Sequence, residues 1–311
     1  MHRIRSDRSA ASQGPMNRQS AMPRQSDDRA KTVRAILLLI SGVVLFAVMD
    51  GLSKLLTGDY PVVQLVWARY AFAVPVVLAA SGPPAAWPGL LRCERPALQA
   101  GRGLLPVLAN TTAVLALGLM PLGDATAISF LSPLLVVAFS APLLGERVSI
   151  QGWVGVACGF AGTLVIIRPG AGTIAWAALF PLATAFLFAL YQVLTRLVSR
   201  GDSPVVTLAW TVAVGLVVTT PLLLLYWHPV GGADWPLLGL SGVLFGAGQF
   251  LLIRAFATAP APLLAPFTYV QIVAAVVFGV AVFGDVPDFW TVVGTVLVIL
   301  AGMYVLRRQA A

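Results

Sequence analysis

Apolar positions run almost unbroken from about residue 35 to 306, and what divides them is a series of short clusters of Gly, Pro and charge. Gly58-Asp59-Tyr60-Pro61, the Pro83-Pro84 to Pro96 loop, Met120-Pro121, Gly145-Glu146-Arg147 and Arg168-Pro169-Gly170 punctuate the first half. Arg200-Gly201-Asp202, His228 to Pro236, Ala259-Pro260 and Gly284-Asp285 punctuate the second. The runs fall near 35–56, 61–80, 97–118, 121–143, 150–167, 174–198, 205–227, 237–258, 261–283 and 289–306. A helix needs roughly 20 apolar residues to cross a bilayer. The pattern therefore predicts an all-α polytopic membrane protein of ten transmembrane helices. Loops this short make consecutive helices antiparallel neighbours and leave no room for an inserted soluble domain.

Residues 1–34 break the pattern. They are polar and rich in Arg, Ser and Gln, which predicts a disordered cytoplasmic tail. Asp7, Asp27 and Asp28 and the scarcity of large apolar residues separate it from a mitochondrial presequence. Eight of the 20 Lys and Arg residues lie in this tail. With the tail inside, Arg92, Arg95, Arg147, Arg200, Arg307 and Arg308 are also inside, and Arg168 alone marks an outer loop. Basic residues favour the cytoplasmic side, so both termini are expected in the cytoplasm.

Composition sharpens this reading. The chain is 59% hydrophobic and 10% charged with a mean hydropathy of +0.89, against about 45–50% and 25% for soluble domains. So few charges cannot cover a soluble globule. The net charge of +8 and pI near 10.2 point to anionic lipid headgroups rather than nucleic acid, because the basic residues sit at helix ends and in the tail. Cys93 and Cys158 make no disulfide framework, and His2 and His228 cannot build a transition-metal cluster. No cofactor is indicated.

The two halves correspond at one ungapped offset of 139 residues, which relates Asn110 to Gln249, Pro121 to Pro260 and Phe130 to Tyr269. The same offset relates Phe139 to Phe278, Gly145 to Gly284, Glu146 to Asp285, Gly155 to Gly294 and Arg168 to Arg307. Five helices is an odd number, so the second copy is inverted relative to the first. The expected organisation is a tail of residues 1–34 and two inverted five-helix repeats, 35–168 and 174–308. Inverted repeats are typical of alternating-access carriers.

The residues Asp124 to Pro133, Leu144-Gly-Glu-Arg147 and Gly162 to Arg168-Pro169 resemble the first EamA-type repeat of the drug/metabolite transporter superfamily. Ala265 to Tyr269, Phe283-Gly-Asp-Val-Pro287 and Gly294 resemble the second. The likeness covers about residues 35–308. It implies export of amino acids or drugs, or uptake of metabolites such as S-adenosylmethionine or riboflavin. Asp50-x-x-x-Lys54 and Trp67-Ala-Arg69-Tyr70 look most like the bacterial metabolite-uptake branch.

Ionisable groups inside a span cost about 2.5–3.5 kcal/mol each on insertion scales and are functional candidates by default. Asp50 and Lys54, at i and i+4, share a helix face. They either neutralise each other or make Asp50 a coupling carboxylate. Arg69 lies near the midpoint of the second run, too deep to snorkel. It either pairs with Asp50 or another acid, or clamps an anionic group of a substrate. Trp67 and Tyr70 flank it as candidate stacking surfaces. Tyr191, Trp210 and Tyr269 are weaker ones. Asn110, Gln249 and Gln271, mid-run, either glue helices together or join Arg69 in a polar ring at the membrane midplane. Asp124 is a candidate outer-gate residue. Pro106, Pro133, Pro181, Pro221 and Pro266 are expected to interrupt helical hydrogen bonding. Gly155-x-x-x-Gly159 and Gly242-x-x-x-Gly246 allow close helix approach.

Enzyme motifs fail on inspection. Gly239-Leu-Ser-Gly242 matches a rhomboid-protease serine motif, but no His follows His228 to act as base. There is no phosphate-cradling glycine loop and no metalloprotease motif. The function expected is a secondary transporter moving a small polar or amphipathic metabolite by alternating access, driven by H+, Na+ or exchange. An amino-acid or drug exporter is the nearest alternative within carriers. A passive channel or a structural membrane partner is the alternative outside them.

Overall fold

The computed structural model describes residues 23–145, 150–168, 174–198, 201–258, 264 and 267–309. The tail up to residue 22, Glu146 and Arg147, Arg200, Pro260 and Pro266 lie outside the described residues. Every regular element among the described residues is helical. Among the described residues, six helices are long and apolar enough to cross a membrane: Lys31–Leu56, Val62–Ser81, Pro96–Leu119, Leu122–Leu143, Pro204–Leu225 and Trp235–Ala255. Shorter apolar helices cover Gly152–Ile167, Leu179–Thr195, Val270–Phe283 and Phe289–Tyr304. The protein is a polytopic helical membrane protein.

The first helix, α1, runs Pro23–Leu56, so it begins inside the stretch expected to be a disordered tail. Proline suits the first position of a helix, and no Gly or Pro stands between Pro23 and the apolar run to stop it.

Prolines set the next boundaries with a regular rule. The second apolar run is two helices, α2 (Val62–Ala71) and α3 (Val74–Ser81), followed by a 3-10 turn at Pro84–Gly89. After α4 (Pro96–Leu119), the fourth run splits into α5 (Leu122–Ser129) and α6 (Ser132–Leu144). Beyond α7 (Ile150–Ile167), the sixth splits into α8 (Ile174–Ala177) and α9 (Leu179–Val198). Each split leaves the first helix ending at the residue four before a proline: Ala71 before Pro75, Ser129 before Pro133, Ala177 before Pro181. A proline ring clashes with the carbonyl four residues back and supplies no N–H to it. Pro106 and Pro221, expected to interrupt their helices, instead sit inside the continuous α4 and α10 (Pro204–Leu225). Pro75 breaks a helix that the sequence reading left whole.

The remaining elements are α11 (Trp235–Thr258), α12 (Val270–Phe278) with a π-turn at Gly279–Phe283, and α13 (Phe289–Gln309). Gly145 closes α6 at φ +68° and Gly284 closes the π-turn at φ +70°. This left-handed conformation suits glycine at helix C-termini, and the two glycines are the pair that the 139-residue offset relates.

α1 packs along α11, α4 along α9, and α7 along α13, while α10 lies against both α2 and α4 and α11 also contacts α2. Small residues make the closest approaches. A Cβ on Gly242 would stand 2.5 Å from the Ala68 carbonyl oxygen and 2.5 Å from Phe72 Cβ, so α11 touches α2 almost backbone to backbone. A Cβ on Gly294 would come within 2.6 Å of the Gly162 carbonyl oxygen, and one on Gly162 within 3.0 Å of the Gly294 carbonyl oxygen. One apolar core, including Met49, Leu65, Tyr70, Val212 and Phe245, joins α1, α2, α10 and α11. A second, including Leu117, Leu122, Ile128, Ile272 and Val298, joins α4, α5, α12 and α13. Large apolar side chains such as Val217, Leu224, Val277 and Leu300 stay exposed, as suits a surface solvated by lipid tails.

Candidate functional site: a charge chain between helices

Arg69 lies in the last turn of α2, where the helix stops ahead of Pro75, and its side chain is 1% exposed. The helix end aims it between α1 and α4. Its Nη2 donates to Asp50 Oδ1 at 2.9 Å and to Ser53 Oγ at 2.8 Å, both on α1. Its Nη1 donates to Asn110 Oδ1 on α4 at 2.6 Å. Asn110 in turn donates from Nδ2 to the Pro106 carbonyl at 2.7 Å and to Tyr70 Oη at 3.3 Å. Both terminal nitrogens of the guanidinium thus donate to the protein. Its Nε is buried and donates to nothing among the described residues. A buried unpaired donor costs about 1–3 kcal/mol.

Arg69 and Asp50 form an ion pair. The Asp50–Lys54 pair does not form. Lys54 turns away from Asp50 and places Nζ 2.6 Å from Asp285 Oδ2, beyond the π-turn. It also donates to the Met120 carbonyl at 3.1 Å and lies 4.9 Å from the centroid of Phe283. Helical spacing puts Asp50 and Lys54 on one face, but Asp50 pairs with Arg69 on α2 and Lys54 with Asp285 in the turn ahead of α13.

Of the other candidates, Tyr70 joins this cluster through Asn110, whereas Trp67, Gln249 and Gln271 make no hydrogen bond to it among the described residues. Trp67 is half-buried and donates from its ring nitrogen to Thr220 Oγ1 at 3.2 Å. Tyr70 is fully buried, edge-on to Phe245 at 5.3 Å, and so acts as a wall of the core. Gln249 is buried and Gln271 half-buried, and neither makes a side-chain hydrogen bond among the described residues. Tyr269 sits 5.5 Å from Phe130 with its hydroxyl buried and unpaired among the described residues. Trp210 donates to the Leu91 carbonyl at 3.2 Å.

At the Lys54 end, a cavity of about 170 Å³ is lined by Gly123, Asp124, Arg168, Val276, Asp285 and Asp288, among others. Arg168, at φ +48°, pairs with Asp288. Asp288 also caps α13, accepting the Thr291 backbone N–H at 2.7 Å. That N–H, with the Thr291 hydroxyl and Arg168 beside it, holds the Asp288 carboxyl below the usual carboxylate range. Tyr60, buried in the α1–α2 turn, donates to Asp234 Oδ2 at 2.6 Å and accepts the Gly231 N–H at 3.1 Å. The bond to Asp234 pushes its phenol up from the ordinary value.

Sequence reasoning missed a second buried arginine. Arg102, in the second turn of α4, is fully buried. Its Nε donates to Gln99 Oε1 at 3.0 Å, Nη1 to Thr195 Oγ1 at 3.2 Å, and Nη2 to the Thr207 carbonyl and Thr211 Oγ1, both at 2.8 Å. Tyr191 faces it, with the ring centroid 5.1 Å away. An arginine so near the start of an apolar run reads as an end charge. Gln99 one turn before it, and Thr207 and Thr211 one turn apart on α10, were the available signals.

Buried charges tied across apolar helices, inside a lipid-solvated shell, define a membrane protein with a polar interior. The chain belongs to the EamA-like transporter family, whose model matches residues 33–168 and 175–307. It is similar to the S-adenosylmethionine uptake transporter of Rickettsia prowazekii, at 26% identity over 286 residues, 91% of this chain and 96% of that one. It is similar to the riboflavin transporter of Rhizobium johnstonii, at 27% over 286 residues, covering 89% and 92% of the two chains. It is also similar to the pseudopaline exporter CntI of Pseudomonas aeruginosa, at 28% over 279 residues, 88% and 96%. A solved crystal structure shares the fold at a TM-score of 0.61 and 22% identity, over 92% of this chain and 99% of the other. The protein is thus a multi-pass membrane transporter, not an enzyme.

Proposed function

We propose that the protein is a secondary carrier that moves a small metabolite with an anionic group across the bacterial inner membrane by alternating access. Ten spans form two inverted five-helix repeats, 35–168 and 174–308, with both termini cytoplasmic. The helix pairing supports the repeat. The offset relates α1 to α9 and α4 to α11, so the α1–α11 and α9–α4 contacts are counterparts, as are α2–α11 and α10–α4. α7 and α13 are each other's counterparts and pack together.

Arg69 is the recognising group, and the observation that carries this is its buried, unpaired Nε. The guanidinium is paired to a single Asp50 oxygen and keeps an unused donor for a further acceptor. Asn110 holds it in position, and Asp50 balances its charge while no substrate is bound. Trp67, Tyr70, Gln249 and Gln271 are candidate neighbours of the substrate, and Lys54 is a gate residue. The coupling ion is H+ or Na+, unless exchange drives the cycle.

The test is counterflow in proteoliposomes loaded with a panel of unlabelled metabolites that begins with S-adenosylmethionine and riboflavin. Accumulation of external label by the wild type, lost in Arg69→Ala, is the expected result. Normally folded Arg69→Ala with unchanged kinetics overturns the recognition role. A rate linear in substrate with no trans-stimulation overturns the carrier in favour of a channel. The similarity to an exporter favours export as the second reading. In that case cells overproducing the protein resist toxic analogues of the substrate instead of becoming sensitised.

A further inference from the structure

Four charges lie in sequence through the protein: Arg69, Asp50, Lys54 and Asp285. The outer two members pair inward, and the chain divides between Asp50 and Lys54, near the C-terminal end of α1. Asp50 bonds Arg69 through Oδ1 alone, and its Oδ2 accepts nothing among the described residues. Lys54 is one helical turn further along the same helix, where i and i+4 side chains stand about 5–6 Å apart at Cβ. It is held instead by Asp285. The Lys54–Asp285 contact ties α1 to the turn ahead of α13. The neighbouring Arg168–Asp288 pair ties that same turn to the end of α7 and does not involve α1.

We propose that Asp50 is an exchange partner that couples occupancy of Arg69 to closure at Lys54. This rests on the reading of Arg69 as the substrate's anion site and adds how that site is read by the gate. When a carboxylate or phosphate of the substrate takes Arg69, Asp50 loses its counter-charge in an apolar surround. The nearest cation is Lys54. Lys54 moves to Asp50, lets go of Asp285 and the Met120 carbonyl, and α1 parts from the α12–α13 turn. When the anion leaves, Arg69 reclaims Asp50 and Lys54 returns to Asp285. Arg69, Asp50 and Lys54 each keep a counter-charge at every stage, and only Asp285, a quarter exposed in the turn, is released from its pair. The order of the pair supports this, since an acid N-terminal to a lysine at i, i+4 is the favourable arrangement on a helix.

The exchange can be tested without the substrate, because substitutions at the site stand in for its occupancy. Cys93→Ser and Cys158→Ser clear the background. Spin labels at Gly58→Cys, where added side-chain atoms meet nothing within 4 Å, and at the exposed Val292→Cys report the separation of the α1 end from α13. The full chain is measured in nanodiscs by pulsed electron double resonance. Arg69→Gln frees Asp50 and is expected to raise the longer-distance population several-fold. Arg69→Gln/Asp50→Asn leaves Lys54 nothing to capture and is expected to restore the wild-type distribution. Asp285→Asn, which removes the closure itself, marks the fully open distance.

No shift in folded Arg69→Gln overturns the exchange, and so does a double variant that stays as open as Arg69→Gln alone. If Arg69→Gln does not elute as a monodisperse protein, Asn110→Asp takes its place. That change sets a carboxylate on Nη1 at the position of the present amide oxygen, and absence of a shift there overturns the proposal. Failure of the recognition reading appears separately, as unchanged counterflow by Arg69→Ala.

Discussion

Arg102 and Asp202 do not touch, yet one amide joins them. Gln99 accepts from Arg102 Nε through Oε1 at 3.0 Å and donates through Nε2 to Asp202 Oδ2 at 2.7 Å. The fully buried guanidinium has no carboxylate in contact among the described residues, and Gln99 carries the influence of Asp202 to it. Gln99→Leu removes both bonds and leaves a buried donor unpaired, a loss of about 1–3 kcal/mol. The detergent-solubilised variant should melt several degrees below the wild type. Asp202→Asn, at the half-buried end of the relay, should melt close to it. Equal melting of Gln99→Leu and wild type would show that the relay has no structural weight.

The Arg69–Asp50 pair makes a different kind of prediction. Removing one member of a buried pair leaves an uncompensated charge, at about 3–5 kcal/mol. Asp50→Ala and Arg69→Ala should each lower the thermal midpoint strongly. The double variant should recover part of that loss while remaining transport-dead. A double variant less stable than both singles would contradict the ion pair as the source of the effect.

Two groups at the Lys54 end set pH limits. The Asp288 carboxyl is held low by the Thr291 N–H that it caps. A lowered folded pKa gives stability that is present above the ordinary carboxylate value and lost as pH falls, here below about 4. Asn caps a helix as well as Asp. Asp288→Asn should therefore keep the midpoint near neutral pH and flatten its fall in acid.

At the other limit, Tyr60 is raised by its bond to Asp234. A raised folded pKa gives stability that is present below the ordinary phenol value, about 10, and lost as pH climbs through the higher folded one. Tyr60→Phe should be less stable at neutral pH and lose less on going to alkaline pH, read from the midpoint at each pH.

Close backbone approach predicts a steric penalty. Gly242→Ala would press a methyl group against the Ala68 carbonyl and Phe72 Cβ, both 2.5 Å from the ideal position. Overpacking typically costs about 1–3 kcal/mol. The open position Gly101, where a Cβ meets nothing within 4 Å, is the control and should accept Ala without loss.

The helices were legible in the chain because Gly and Pro act locally. Gly145 and Gly284 stop helices where they stand, and Pro133 and Pro181 end a helix four residues upstream. Pro106 and Pro221 show the limit of that signal, since a missing N–H does not dictate whether the surrounding helices hold the span straight. The site was half legible. Asp50 and Arg69 are only 19 residues apart on successive helices, and depth alone suggested that they meet. Lys54 and Asp285 are separated by 231 residues. No local rule selects that partner over Asp50 one turn away. Gln249 and Gln271 share a depth with Arg69 in the sequence, but depth does not fix the direction in which a side chain leaves its helix.

That separation of 231 residues is also an interval of time. At a synthesis rate of roughly 5–20 residues per second, Asp285 is made about 10–50 s after Lys54. Arg69, 19 residues behind Asp50, arrives within about 1–4 s. The newborn first helix therefore meets the bilayer with Lys54 beside the carboxylate on its own face, and each later partner arrives to find that alliance already made. The finished arrangement is reached only when Asp285 emerges. A nascent chain stalled before Asp285 should hold its charges in a different pairing from the mature protein.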